Sequence, residues 1–141
     1  MAEQLLTAGY SLCLLDPECD YAELTRYHTV QHVGGKQSLP SSEVISGILR
    51  PTHTSLVVDL SMFDSEEQVT RAEELLRLFE HHRSISGRPH WLFIDEAHRL
   101  LPAGVLNSFR GFCLVSYWLD QLSKDVWNAL DYVAARRIAG R

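Results

Sequence analysis

The chain has 141 residues, 45% of them apolar and 22% charged, with a formal net charge of -5. That suits one ordinary globular domain with a real core, and the acidic balance argues against a strongly basic surface built for nucleic acid, though not against DNA contact through a local patch or an assembled pore. No stretch approaches the apolar length of a membrane helix, "MAEQLLTAGY" lacks the basic leader and long apolar run of a signal peptide, and the three cysteines, Cys13, Cys19 and Cys113, have no CxxC spacing and fit free thiols in a reducing cytoplasm.

In chain order, "AEQLLTAGY" reads as the last turns of a helix, with Gly9 as its stop. "SLCLLD" is a continuous apolar run, the mark of a buried strand, and ends at the polar turn "DPECDY". "YHTVQHV" is a second strand candidate, followed by the loop "GGKQSLP". "SSEVISGIL" is a short helix entered through serines that can cap its free amides. "TSLVVDLS" is a third strand. "DSEEQVTRAEELLRLFEHHRSISG" is the clearest helix, with Asp64 and Glu67 spaced as a capping box and Gly87 and Pro89 ending it. Its apolar face carries Val69, Ala72, Leu75, Leu76 and Phe79. "HWLFID" and "GFCLVS" are further strands, "SKDVWNAL" is a short helix, and "DYVAA" is a possible sixth strand. Short apolar runs separated by helices predict an α/β fold with a mainly parallel sheet of roughly five strands, covered on both faces. Leu14, Val57, Leu92, Ile94 and Leu114 are the expected core.

In such a sheet, ligands sit beyond the carboxyl ends of the strands. Asp95 and Glu96 fall there, where "WLFI" runs out. Two adjacent carboxylates at a strand end suit a nucleotide site: the first can hold magnesium, usually through water, and the second can orient and deprotonate the water that attacks a γ-phosphate. This is the pattern of a Walker B motif. The alternative is structural, since a helix N-terminus favours acids for its dipole.

The segments "GYSLCLLDPECDY", "HVGG", "TSLVVDLS", "GRPHWLFIDEAHRLLP" and "LVSYWLDQLSKDVWNALDYV", in that order, resemble the HerA–FtsK superfamily of P-loop ATPases, and within it the HerA-like ATP-binding proteins. The likeness runs from about Glu3 to Ile138 and is most specific around Asp95. It implies a three-layer RecA-like core, ATP hydrolysis with Mg2+, and a cytoplasmic homo-hexameric ring that moves DNA. It also implies roles. Asp95 looks like the magnesium-associated acid and Glu96 like the catalytic glutamate. Ser116, where the family often has Thr-Gln, looks like the polar sensor beside the γ-phosphate, or is a serine that merely ends a strand. Cys19 replaces the glycine of the family's Asp-Pro-Glu-Gly-Asp-Tyr turn, at a place where glycine accepts a positive φ cheaply and cysteine does not.

The family's glycine-rich phosphate cradle is not matched. GxxxxGK[ST] occurs nowhere in these residues. The only Gly-Lys, Gly35-Lys36, lacks the leading glycine and the following Ser/Thr and precedes loop sequence. The resemblance thus implies a single, partial RecA-like domain over 1–141 whose N-terminal P-loop strand is missing, with no cofactor-binding Walker A residues. The sheet should then be incomplete beside "WLFI" or "GFCLV". Two alternatives are a degenerate, non-catalytic interaction domain and a DExH-box helicase fragment, although no Ser-Ala-Thr follows "DEAH".

Other constellations are weaker. His28 and His32 could share a face, and His81, His82, His90 and His98 add imidazoles, but no Cys or acid completes a spaced zinc set. His98 could couple nucleotide state to a loop, or lie on the polar side of a helical turn. Trp91, Phe93, Phe112 and Trp118 read as core or sheet-edge packing, and Cys13 and Cys113 as inert core thiols. Arg136 and Arg137 are the candidates for an arginine finger, and "ARRIAGR" otherwise reads as a solvated tail. Residues 103–110 stand where many translocases have a longer insertion.

Overall fold

Each apolar run is short and bounded by polar turns, so it can bury both of its faces as a strand. The computed structural model describes residues 1–51, 53–87, 90–101 and 111–134. Its strands are β1 (Leu12–Asp16), β2 (Val30–Gly34), β3 (Ser55–Asp59), β4 (Trp91–Ile94) and β5 (Phe112–Leu114). Its α-helices are α1 (Ala2–Thr7), α2 (Ser42–Ile48), α3 (Ser65–Ser86), α4 (Ala97–Leu100) and α5 (Lys124–Asn128), with short 3-10 helices at Ala22–Arg26 and Leu119–Gln121. Among the described residues the strands form one sheet in the order β2-β3-β1-β4-β5, and every neighbouring pair is parallel. The chain is therefore α/β with a parallel sheet.

Alternate residues of the central strands feed two apolar clusters. Cys13, Leu15, Leu56, Val58 and Ile94 pack with α2, α3 and α4 through Ile45, Leu76, Phe79 and Leu100. Leu12, Leu14, Val57 and Phe93 pack with Ala2 and Leu6 of α1 and with Leu24. β1 and β3 are buried along their whole length, which is why neither shows polar alternation. The long α3 starts as its sequence implies: the Asp64 side chain accepts hydrogen bonds from the amides of Glu66 and Glu67, and Gly87, at φ +64°, ends it in a left-handed turn.

Three expectations are corrected. Residues 131–134 form no strand, and Tyr132 and Val133 face solvent, 93% and 53% exposed. Leu114 is half-buried, unlike Leu14, Val57, Leu92 and Ile94. It lies on β5, which pairs on one side with β4 and, among the described residues, has no strand on the other. Trp118 is not packed away but 57% exposed, close in sequence to the exposed Val115 and Tyr117. Of the two places where the sheet was expected to be incomplete, β4 is flanked on both sides, and among the described residues β5 and β2 are the sheet's two edges. Arg136, Arg137 and residues 103–110 lie outside the described residues.

Candidate functional site at the carboxyl edge of the sheet

Asp95 and Glu96 follow β4 directly, as the sequence implies. The Asp95 amide donates to the carbonyl of Leu15, the last apolar residue of β1, and Val115 N–H donates to the carbonyl of Ile94. The turn is thus held by both neighbouring strands. Ala97 N–H reaches across to the carbonyl of Val115, 2.9 Å away. β4 and β5 therefore end at the same level and present Asp95, Glu96 and Ser116 on one edge.

Glu96 adopts a left-handed backbone, φ +46° and ψ +45°, where an L residue is disfavoured by about 1–2 kcal/mol. Its carboxylate Oε2 lies 3.5 Å from His98 Nε2. The other ring nitrogen of His98, Nδ1, is 3.0 Å from the Ser116 hydroxyl. Ser116 Oγ in turn accepts the amide of Trp118. His98 is only 5% exposed at its side chain and Glu96 13%. The polar groups at the ends of two strands are thus joined in a line, Glu96–His98–Ser116. His98 is thus buried against Glu96 and Ser116 and does not lie on an exposed polar face.

Asp95 is buried. Burial pushes its carboxyl up from 3.8 to about 6, and the charges of Glu96, Asp16 and Asp20 push the same way, against one hydrogen bond from the Glu96 amide. Asp16, at the end of β1, is also raised, first by burial and further by Asp59, while the amides of Tyr21, Asp20 and Glu18 oppose the rise. Those amides hold the "DPECDY" turn against Asp16, at 2.9 Å for Tyr21, 3.1 Å for Asp20 and 3.3 Å for Glu18. Within that turn Cys19 takes φ +63°, so the turn keeps its left-handed residue although the position carries a side chain. Arg99 of α4 ties the turn to the helices: it bonds Glu18 at 2.6 Å and Gln68 at 3.0 Å, and buried Gln68 donates to the carbonyls of Pro17 and Leu60.

Gly35-Lys36 does not form a phosphate loop. Gly34 and Gly35 instead let β2 turn tightly against Asp59: Gly35 N–H donates to the Asp59 carbonyl, and a Cβ on Gly34 would stand 2.2 Å from that oxygen. Helix α2 begins only at Ser42.

The histidine pattern resolves differently from its sequence spacing. His28 lies in a turn and is exposed, so it shares no helical face with His32. His32 instead meets Asp59 and Cys19, a grouping that sequence spacing missed because each residue comes from a different strand or turn. His82 packs edge-on to His90 at 5.8 Å, and His90 Nε2 lies 3.1 Å from the Thr54 carbonyl.

No family model, curated protein or solved structure matches the chain. Among the described residues no helix is long and apolar enough to cross a membrane.

Proposed function

We propose that this chain carries the Walker B and sensor half of a HerA-type ATPase site, a three-layer RecA-like P-loop fold whose phosphate cradle comes from a segment outside these residues. One juxtaposition supports the reading: Glu96 and Ser116, following adjacent parallel strands, are linked through His98 on the edge where α/β sheets bind ligands. Glu96 is the candidate base for the attacking water, Ser116 the candidate contact to the γ-phosphate, and His98 a positioning residue between them. A change at the phosphate would then be felt at the base.

The donor set beside Glu96 fits magnesium in its chemistry. Asp95 is a hard oxygen ligand in an environment of like charge, which a divalent cation would relieve. Bound there, magnesium would neutralise charge on the phosphates. The wider activity we propose is DNA movement by a homo-hexameric ring. Exposed Val115, Tyr117 and Trp118, following β5, offer apolar surface for association. A second reading, a non-catalytic interaction domain, is favoured by the lack of GxxxxGK[ST] in the 141 residues.

The test is Mg-ATP turnover by the chain expressed with its whole upstream reading frame. Turnover that Glu96→Gln removes while ATP binding is retained supports the ATPase reading. Hydrolysis by Glu96→Gln at the parental rate sinks the assignment of the base. A parent that binds and hydrolyses nothing favours the interaction domain.

A further inference from the structure

At the opposite end of the same carboxyl edge, three strands bring together three different metal-ligating atoms. Asp59 is the last residue of β3, in register with Gly34 of β2 on one side and Asp16 of β1 on the other. Registered partners point to the same face of a sheet, and so do residues two apart on one strand. His32 is therefore a diagonal neighbour of Asp59, and Gly34 puts no side chain between them. Asp16 holds the following turn through three amides and so sets Cys19 over the same spot. The Sγ of Cys19, a ring nitrogen of His32 and a carboxylate oxygen of Asp59 all lie within 4.8 Å of one another.

The details favour a ligand set over a chance cluster. Asp59 is 2% exposed, and its Oδ1 is engaged by the Ser61 amide at 2.8 Å. Its Oδ2 faces His32 Nε2 at 3.8 Å. That nitrogen is shielded from solvent and has no hydrogen-bond partner. The Cys19 Sγ stands within 4.8 Å of both partners. Cys19 itself is exposed, which leaves a way in.

We propose that Cys19, His32 and Asp59 form a binding site for a borderline-soft divalent metal of the zinc class, with one coordination position open to solvent. One sulfur, one nitrogen and one oxygen donor suit zinc, whereas magnesium and calcium take oxygen alone. Zinc bonds of ~2.0–2.3 Å in a tetrahedron set donors roughly 3.3–3.8 Å apart. The His32–Asp59 pair, at 3.8 Å, needs only roughly a few tenths of an ångström of closure for a nitrogen and an oxygen donor, and the remaining pairs need at most about 1–1.5 Å, within reach of a rotamer change at the exposed Cys19. Binding exchanges the Cys19 thiol proton for the metal: the S–H bond breaks, a metal–thiolate bond forms, and the proton leaves to water. The site does not depend on the ATPase reading, and its donors differ from those assigned to Asp95.

The experiment uses the reduced 141-residue chain, stripped of metal by chelation and titrated with Co2+. A thiolate-to-cobalt charge-transfer band that saturates at one equivalent and is displaced by Zn2+ is the expected result. Cys19→Gly should remove the band. Glycine suits the backbone there, φ +63°, so this variant should fold, which circular dichroism checks. His32→Ala should weaken cobalt binding by more than about 100-fold, the upper end of what losing even a supporting hydrogen bond costs a metal site. Cys113→Ser should bind like the parent. No band in the parent, a band that survives Cys19→Gly, or a band lost in Cys113→Ser would each overturn the proposal.

Discussion

Asp95→Asn should make the metal-free chain more stable at neutral pH, although it damages the site that Asp95 is proposed to serve. In the folded chain the Asp95 carboxyl rises from 3.8 to about 6, because it is buried first of all and because Glu96, Asp16 and Asp20 lie nearby. Between those two values the folded state holds a proton that the unfolded state has released. Stability therefore falls as pH rises through this window, and the cost is fully present above about pH 6. At ~1.4 kcal/mol for each tenfold change in proton affinity, the cost reaches about 3 kcal/mol at most. Asparagine keeps the shape and one acceptor for the Glu96 amide but carries no charge. The assay is urea unfolding of parent and variant in chelator at about pH 4, 6 and 7.5, with the difference between the two chains isolating Asp95 from the other titrating groups. The variant should gain about 1–3 kcal/mol near pH 7.5, and the gain should vanish near pH 4. An equal or lower stability at neutral pH, or a difference that ignores pH, would refute the claim that Asp95 is held at a cost.

Further outcomes follow from named contacts. Mg-ATP at millimolar levels should leave the melting temperature of the 141-residue chain unchanged, since a ligand stabilises only what it binds and no phosphate cradle is among its residues; an upward shift that disappears in Asp95→Ala would show a self-sufficient half-site. In an active, upstream-extended chain, His98→Ala should lower kcat about 10–100-fold with little change in KM, because it cuts the line from Ser116 to Glu96 without touching binding; an unchanged kcat would remove His98 from the site. Leu14→Ala, at a fully buried position of β1, should cost about 2–5 kcal/mol in denaturant unfolding. Asp64→Ala should cost about 1 kcal/mol by freeing two amides of α3. Gly34→Ala should cost on the order of 3 kcal/mol or more, since its Cβ meets the Asp59 carbonyl at 2.2 Å and its φ is +88°.

The strands were legible because burial on both faces leaves an unbroken apolar run, and β1 and β3 are such runs. The position of Asp95 and Glu96 was legible for the same reason: once "WLFI" is a strand, the next residues stand at its carboxyl end. Leu114 shows where this logic stops. It looks like Ile94 in sequence, but its burial depends on whether its strand is central or an edge, which only pairing decides. "DYVAA" has strand-forming residues, yet residues 131–134 pair with no strand among the described residues, and an unpaired strand gains little. Contacts between separate segments were invisible. Ser116 meets His98 across 18 residues of chain, and Cys19, His32 and Asp59 converge only after β1, β2 and β3 take their parallel register. Cys19, where the family turn has glycine, puts that turn in doubt in sequence, but the structure keeps the positive φ there.

The bland account of "DEAH" is that acids near a helix N-terminus stabilise the helix. That account requires the helix to lower the carboxyls' proton affinity and to be long enough for its dipole to matter. Asp95 and α4 do not meet these conditions. The helix that Glu96 caps, α4, has four residues, and Glu96 makes no side-chain capping hydrogen bond to it. The Asp95 carboxyl is raised and not lowered, and its charged neighbours make matters worse. Glu96 is held in a left-handed backbone conformation that disfavours a side chain, and its carboxylate lies 3.5 Å from His98 Nε2. Other parts of the molecule follow ordinary rules: α3 is capped by Asp64 and closed by Gly87, and the central strands bury leucine, valine and isoleucine. A raised Asp95 carboxyl beside a strained Glu96 backbone fits the cation and water site proposed above better than it fits a merely well-capped helix.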